Sequence, residues 1–290
     1  MCGRTRRKVA LLRKAINFRA AKVIKQKGID IMLTVNDIAT MIEAAAPLSL
    51  AYPWDNPGLL VGSRRKEVSK ILITLDTNLF TVNEAIEQGC DMIVSHHPIL
   101  FRGTKKADYD EPSGKLLELL IKNDIAVYAA HTNMDNAPEG INARLAEIFE
   151  LEDVKVLEPD EKLSGAGLGR FGKLQKSMTP AELCKLVKER LDTPAVRAAG
   201  DMIRPVSTLC VASGSCAECI DTAIEKGCDA IITGDLKYHE TMDAAEKGIF
   251  IIDAGHYPTE VMVKDIFSGL LKNKGAEIVI SRAADIFKFI

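Results

Sequence analysis

Five histidines occur in the 290 residues, and their neighbours suggest metal chemistry. His96 and His97 stand side by side after the apolar run Ile93-Val94-Ser95 and before Pro98. His131 precedes Asp135 by four residues, and His256 precedes Glu260 by four, each pair again following an apolar run. His239 comes after Tyr238, shortly beyond another such run. Neutral imidazole and carboxylate are the N and O donors that suit Zn, Mn, Fe, Co or Ni as divalent ions. Adjacent side chains on an extended backbone project in different directions, so His96 and His97 reach two ions more readily than they chelate one. A carboxylate can bridge the two. His96, His97, Asp135, His256 and Glu260 are therefore read as the ligands of two divalent ions about 3.5 to 4 Å apart, with a water or hydroxide between them. His131 and His239 are left for catalysis, as proton carriers or substrate contacts. A lone histidine is ordinarily a satisfied core or surface residue. Here all five stand at ends of apolar runs and two have matching carboxylates, which favours the metal reading.

The elements that must position these residues follow from the pattern of the chain. Thr34 to Ala46 has helical spacing, with Thr34 and Asp37 as a capping box. Apolar runs at Ile71–Leu75, Met92–Ser95 and Ile125–Ala130 alternate with amphipathic stretches at Phe80–Gln88, Gly114–Lys122 and Ile141–Phe149. Repeated β-α units of this kind imply a mostly parallel sheet, which collects ligands beyond the C-terminal ends of its strands. The second half repeats the first: Ala85 to Ser95 aligns without gaps on Ala223 to Thr233. One helix-turn-strand unit is used twice, and each copy leads into candidate site residues.

Between the halves, glycines at 165, 167, 169 and 172 interrupt the rhythm. A dinucleotide loop must follow a strand and open a helix; this stretch leads instead into Phe171-Gly172-Lys173-Leu174 and reads as a crossing. Thr179 and Glu182, with Pro180 at the first helical position, restart a helix. The domain plan is thus an N-terminal extension at 1–31, a first α/β half at 32–150, a connection at 151–180 and a second α/β half at 181–290.

Charge and cysteine usage narrow the function classes. Residues 1–31 carry ten Lys and Arg against Asp30 alone, leaving 28 basic and 39 acidic residues in the remainder. An acidic body argues against non-specific nucleic-acid binding, and the extension reads as a leader without the aromatic interleaving that base stacking needs. No apolar run reaches the roughly 18 to 20 residues that span a bilayer, so no membrane association is expected. Seven cysteines in a chain of this length suggest free thiols and a cytoplasmic setting. Cys216 and Cys219 lack a thioredoxin-like context or a second pair for zinc, and are read as incidental packing. The polar loop from Phe101 to Tyr109 carries Arg102, Lys105 and Lys106, which could receive substrate phosphates or be a solvated loop.

At these motifs the chain resembles the NIF-three-like family of dinuclear-metal proteins, whose members often carry the name GTP cyclohydrolase I type 2 homologue. The likeness rests on Trp54-Asp55-Asn56-Pro57-Gly58-Leu59, on Gly89 to Phe101 with its His-His-Pro, and on Tyr128 to Asp135. Thr233-Gly234-Asp235, Tyr238-His239 and Gly255-His256 with Glu260 extend it over about residues 32–290. Carried over by position, the family's metal ligands fall on His96, His97, Asp135, His256 and Glu260. The resemblance also implies two similar α/β domains with mixed sheets flanked by helices, metals in the cleft between them, and a homohexamer. It allows the C-terminal part to return to the first domain. Some members hold an extra domain between the halves, for which Glu152 to Pro180 leaves no room.

The function expected is that of a metal-dependent hydrolase acting on a small molecule. In cyclohydrolase fashion, a hydroxide bridging two metals would attack a ring carbon of a purine nucleotide. Hydrolysis of another cyclic amidine or of a phosphate ester is the near alternative. A non-catalytic metal-binding adaptor is the distant one, because a ligand set does not say whether a coordination position stays open for water.

Overall fold

The computed structural model describes residues 32–290; the expectations for the extension at 1–31 lie outside the described residues. The first part of the chain runs β1 (Leu33–Thr34), α1 (Val35–Ala45), β2 (Gly58–Val61), β3 (Glu67–Val68), β4 (Lys70–Thr74), α2 (Leu79–Gln88), β5 (Met92–Ser95), α3 (Pro112–Lys122), β6 (Ala126–Ala129), α4 (Thr132–Asn136) and α5 (Ile141–Ile148). The rest runs β7 (Glu152–Pro159), β8 (Gly167–Met178), α6 (Pro180–Arg190), β9 (Arg197–Ala199), β10 (Val206–Ser215), α7 (Cys219–Glu225), β11 (Ala230–Gly234), α8 (Tyr238–Glu246), β12 (Phe250–Asp253), α9 (His256–Glu260), α10 (Val263–Leu271) and β13 (Glu277–Ile280).

Local chemistry sets the helix starts where the sequence places them. Thr34 N donates to Asp37 Oδ2 at 2.8 Å and Asp37 N to Thr34 Oγ1 at 3.3 Å, closing the box on α1. Thr179 and Glu182 close the same box on α6, with Pro180 just inside it.

Two sheets carry the site. One has the order β13-β4-β5-β6-β2, in which β13, β4, β5 and β6 are parallel and β2 is an antiparallel edge. The other has the order β7-β8-β10-β11-β12-β9, with β10, β11 and β12 parallel and the flanking strands antiparallel. Strand alternation sends Ile71, Ile73, Met92, Val94 and Tyr128 into a core shared with Leu209, Val211, Ile232 and Ile252 of the other sheet. Val35, Ile38 and Ile42 of α1 and Phe267 of α10 fill it. On the outer faces, Leu72, Ile93 and Val127 meet α2 and α3, while Cys210, Ile231 and Ile251 meet α7 and α8. Sheets covered on both faces explain why the central strands read as unbroken apolar runs.

The two segments that match in sequence make matching bonds. Asp91 Oδ2 accepts from Ser69 N and Lys70 N at 2.8 and 3.0 Å. Asp229 Oδ2 accepts from Ser207 N and Thr208 N at 3.0 Å each. Gly89 and Gly227 both turn through positive φ just before them.

Two parts of the expected domain plan need correction. The stretch 151–180 is no plain connection, because Glu152–Pro159 and Gly167–Met178 pair antiparallel and build the side of the second sheet next to β10. Its glycines also have a structural use: Arg170, buried, donates through Nη1 to Gly167 O and Gly169 O at 2.7 and 2.8 Å, and through Nη2 to Ala137 O and Gly165 O at 3.0 and 3.1 Å. Residues 181–290 do not all stay with the second sheet, since β13 adds to β4 of the first. That return is the one the family resemblance allowed.

Candidate metal centre

Register brings the site together. Thr74, Ser95 and Ala129 stand abreast at the ends of β4, β5 and β6, so Asp76, His96, His97 and His131 emerge side by side. Thr233 and Asp253 stand abreast in the other sheet, so Asp235 and α9 emerge together. The ends of the two sheets meet, and His97 Nε2 lies 3.3 Å from His256 Nε2.

Each imidazole is oriented through its Nδ1. His96 Nδ1 donates to Ala130 O at 2.8 Å. His97 Nδ1 donates to Asp76 Oδ1 at 2.7 Å, His131 Nδ1 to Asp55 Oδ1 at 2.8 Å and His256 Nδ1 to Asp235 Oδ2 at 2.8 Å. Such bonds fix the ring and leave Nε2 to face a ligand, as in metal sites whose histidines are backed by carboxylates. Asp55 is held in turn by Thr132 N and Thr132 Oγ1 at 3.1 and 2.6 Å. Burial alone would raise its carboxyl; the bonds from His131 and Thr132 outweigh burial and bring it down to about 2.

Glu260 sits at the centre. Its Oε2 lies 2.9 Å from His97 Nε2 and 3.0 Å from His256 Nε2, and its Oε1 lies 3.8 Å from His96 Nε2. Burial works against its charge, but the imidazoles around it hold it well below the usual carboxylate range. Burial likewise opposes the charged forms of His97 and His256, yet the carboxylates beside them push the rings up to about 10 and about 9. Asp135 is buried too, and desolvation with Glu260 nearby raises its carboxyl despite His96 and a 2.8 Å bond from Ser213 Oγ.

A close backbone makes room for Glu260. Gly214, at the end of β10, has φ +61, and a Cβ there would come within 2.2 Å of Glu260 Oε1. Only glycine fits both the conformation and the space.

The donor set fits a metal. His96 Nε2 is fully buried and has no hydrogen-bond partner among the described residues, although Asp135 Oδ2 and Glu260 Oε1 face it from 3.6 and 3.8 Å. An orphaned buried ring nitrogen is unfavourable by about 1–3 kcal/mol unless something occupies it, and N and O atoms around one gap are what a divalent ion takes. Three overlapping groups of potential donors lie within 4.8 Å of one another: His96, His97 and His131; His97, His256 and Glu260; and His96, Asp135 and Glu260.

All five residues expected as ligands are thus brought together, and His131 joins them at 5.1 Å between ring centroids from His96. His239 does not: it lies exposed on α8 with its ring against Tyr238. Asp55, Asp76 and Asp235 were missed by sequence reasoning. The available signal was position, since Asp76 and Asp235 each follow a strand by one or two residues. Cys216 and Cys219 are joined in a disulfide rather than packed as free thiols, because the start of α7 sets their Cα atoms 5.6 Å apart. Cys90, Cys184, Cys210 and Cys228 are free. Beside the cluster lies a cavity of about 460 Å³, lined on one wall by Tyr52, Trp54 and Phe101 and on another by Ser213 and Cys216.

Fold and site together define a class: α/β proteins with a candidate metal-binding histidine and carboxylate cluster where two sheets meet end to end. The family model described as Duf34/NIF3 (NGG1p interacting factor 3) matches residues 33–285. The chain belongs to that family. A Clostridium acetobutylicum protein named GTP cyclohydrolase 1 type 2 homolog is 38% identical over 265 residues, covering 89% of this chain and 99% of its own. Among solved structures, a Bacillus cereus protein related to NIF3 superposes with a TM-score of 0.83 at 27% identity, covering 90% of this chain and 100% of its own. Reduced HcgD from Methanocaldococcus jannaschii does so with a TM-score of 0.75 at 32% identity, covering 86% and 98%. No helix among the described residues is long and apolar enough to cross a membrane.

Proposed function

We propose that this chain is a hydrolase that depends on two divalent metal ions and opens a ring of a small-molecule substrate of the purine-nucleotide kind. The observation that carries the reading is the buried, unpartnered Nε2 of His96 within a shared donor cluster that opens onto a cavity of about 460 Å³. His96, Asp135 and Glu260 would hold one ion, and His97, His256 and Glu260 the other, with Glu260 common to both and His131 within reach of His96 and His97. Ions bound there supply Lewis acidity toward a substrate and activate water at neutral pH.

The chain's own residues do the rest. Asp76, Asp235 and Asp55 fix the imidazoles of His97, His256 and His131. Ser213 holds Asp135, and Gly214 keeps the space that Glu260 fills. His131, grouped with His96 and His97, stands beside the centre as a proton carrier or further donor on this reading, and His239 takes no part in the chemistry. The relatives' name supports a guanine nucleotide as the first substrate to try.

An open cavity favours the enzyme over a closed structural metal site that would serve an adaptor. The test is formate release from GTP by protein loaded with Zn, Mn or Fe. Release that disappears in His97→Ala together with its metal is the expected result. Activity that persists in His97→Ala after the metal is lost would overturn the mechanism. Absence of formate with every metal would remove GTP and point to another cyclic amidine or a phosphate ester.

A further inference from the structure

The part of the cavity lining beside His131 is aromatic and exposed. Trp54 keeps 57% of its surface accessible and Phe101 42%. Trp54 stacks on Tyr52 with ring centroids 5.5 Å apart and meets Phe101 edge-on at 5.7 Å. Large rings left accessible in a pocket mark a ligand site more often than a packing defect.

These rings are not loose surface residues. Tyr52 N donates to Thr132 Oγ1 at 3.1 Å. Asp55, next to Trp54, binds His131 and Thr132. Asn56 Nδ2 donates to Leu100 O at 2.7 Å, beside Phe101. The two loops that carry the wall are therefore tied to each other and to His131, whose ring lies 6.4 Å from Trp54 and 6.0 Å from Phe101. Ordering the wall is done before any ligand arrives, which lowers the cost of binding.

What such a wall recognises is a π face. A saturated sugar or a bare phosphate offers none, whereas every nucleobase does. The cavity volume lies in the range of small-molecule sites and is too small for a folded partner. A flat ring on the wall would turn one edge toward His131 and His97, where polar edge atoms meet imidazole and carboxylate.

We infer that Trp54 and Phe101, backed by Tyr52, are the seat of a planar heteroaromatic ring of nucleobase size, which they hold edge-on to the donor cluster. The inference rests on the reading of the cluster as the centre of a small-molecule hydrolase, and it names the residues that select the substrate.

Trp54 is the single tryptophan of the chain, so intrinsic emission reports on the seat directly. The full chain, metal-loaded, is titrated with guanosine monophosphate, adenosine monophosphate and, as a ringless control, ribose 5-phosphate. The base-bearing probes are expected to quench Trp54 emission saturably, and ribose 5-phosphate to leave it unchanged. Phe101→Ala should weaken binding on the order of tenfold to a hundredfold, and Phe101→Tyr should restore it to within about threefold. Metal content and melting temperature, read on the same samples, should match the wild type, which separates the seat from folding and from the ions. Emission unchanged by both bases, or a Phe101→Ala protein that binds them like wild type, would overturn the inference. The two readings fail separately: ring opening of GTP without quenching sinks the seat, and saturable quenching without ring opening removes GTP as the hydrolase's substrate while the seat stands.

Discussion

The two regions that share the repeated segment end in different chemistry. After Ser95 come His96 and His97; at the matching positions after Thr233 come Gly234 and Asp235. A Cβ at Gly234 would meet the backbone of Gly255 at 2.6 Å, so no side chain can stand where His96 stands in the other region. Asp235, in the place of His97, does not join the donor groups; it binds Nδ1 of His256 from 2.8 Å away. One region supplies three imidazoles and Asp135; the other supplies His256, Glu260 and the space around them. A segment used twice thus serves one asymmetric site, with most candidate donors on one side and orientation and clearance on the other.

The asymmetry turns on Glu260, which is common to two of the donor groups. Glu260→Ala should abolish binding of both ions, seen as near-zero metal by elemental analysis, whereas His256→Ala should leave the His96 side loaded. Equal retention in both variants would refute a shared carboxylate. Gly214→Ala comes next, because its Cβ would collide with Glu260 and its φ is positive. A stability loss of about 1–3 kcal/mol with most of the metal gone is expected in melting and metal assays. Asp76→Asn and Asp235→Asn test the backing carboxylates of the two regions, each weakening its own ion on the order of tenfold to a hundredfold by metal titration.

A smaller effect compares Glu84 with its counterpart Thr222. Glu84 accepts from Ser281 Oγ at 2.6 Å and Arg282 Nε at 2.8 Å, tying the C-terminal segment to α2, whereas Thr222 Oγ1 donates to Glu158 of β7 at 2.6 Å. Burial pushes the Glu84 carboxyl up, but the bonds from Ser281 and Arg282 prevail and lower it below its ordinary 4.5. A depressed carboxyl stabilises the fold in full above that ordinary value and loses its contribution as pH falls through the folded one. Glu84→Gln should therefore melt about 2–4 °C lower at neutral pH, with the gap closing as pH falls below 4.5. A gap that widens on acidification would contradict the sign. Smallest of all, His239→Ala should keep its metal content and any GTP activity, since the ring lies outside the cluster.

The donors were legible in the sequence because each sits at a strand end and the His-to-carboxylate spacing recurs in both regions. Helix starts were legible because Thr34 with Asp37 and Thr179 with Glu182 are local boxes. Strand pairing is not local. β7, with Glu152, Asp153 and Lys155 exposed at a sheet edge, shows no apolar run, so its stretch read as a connection. β13 joins β4 across more than half the chain, which no nearby residue announces. His131 was visible as a site residue, but its closeness to His96 and His97 was not, because its place depends on the 2.8 Å bond to Asp55 from a distant loop. His239 misled through its repeat position. Its ring is exposed against Tyr238 and joins none of the donor groups.

The central claim is a two-ion centre with Glu260 between its halves. Anomalous scattering from crystals of the protein as purified, collected at the absorption edge of its metal, tests it most directly. Two peaks are expected, one among His96, Asp135 and Glu260 and one among His97, His256 and Glu260. A single peak, or none with Glu260 still bonded to His97 and His256, would contradict it.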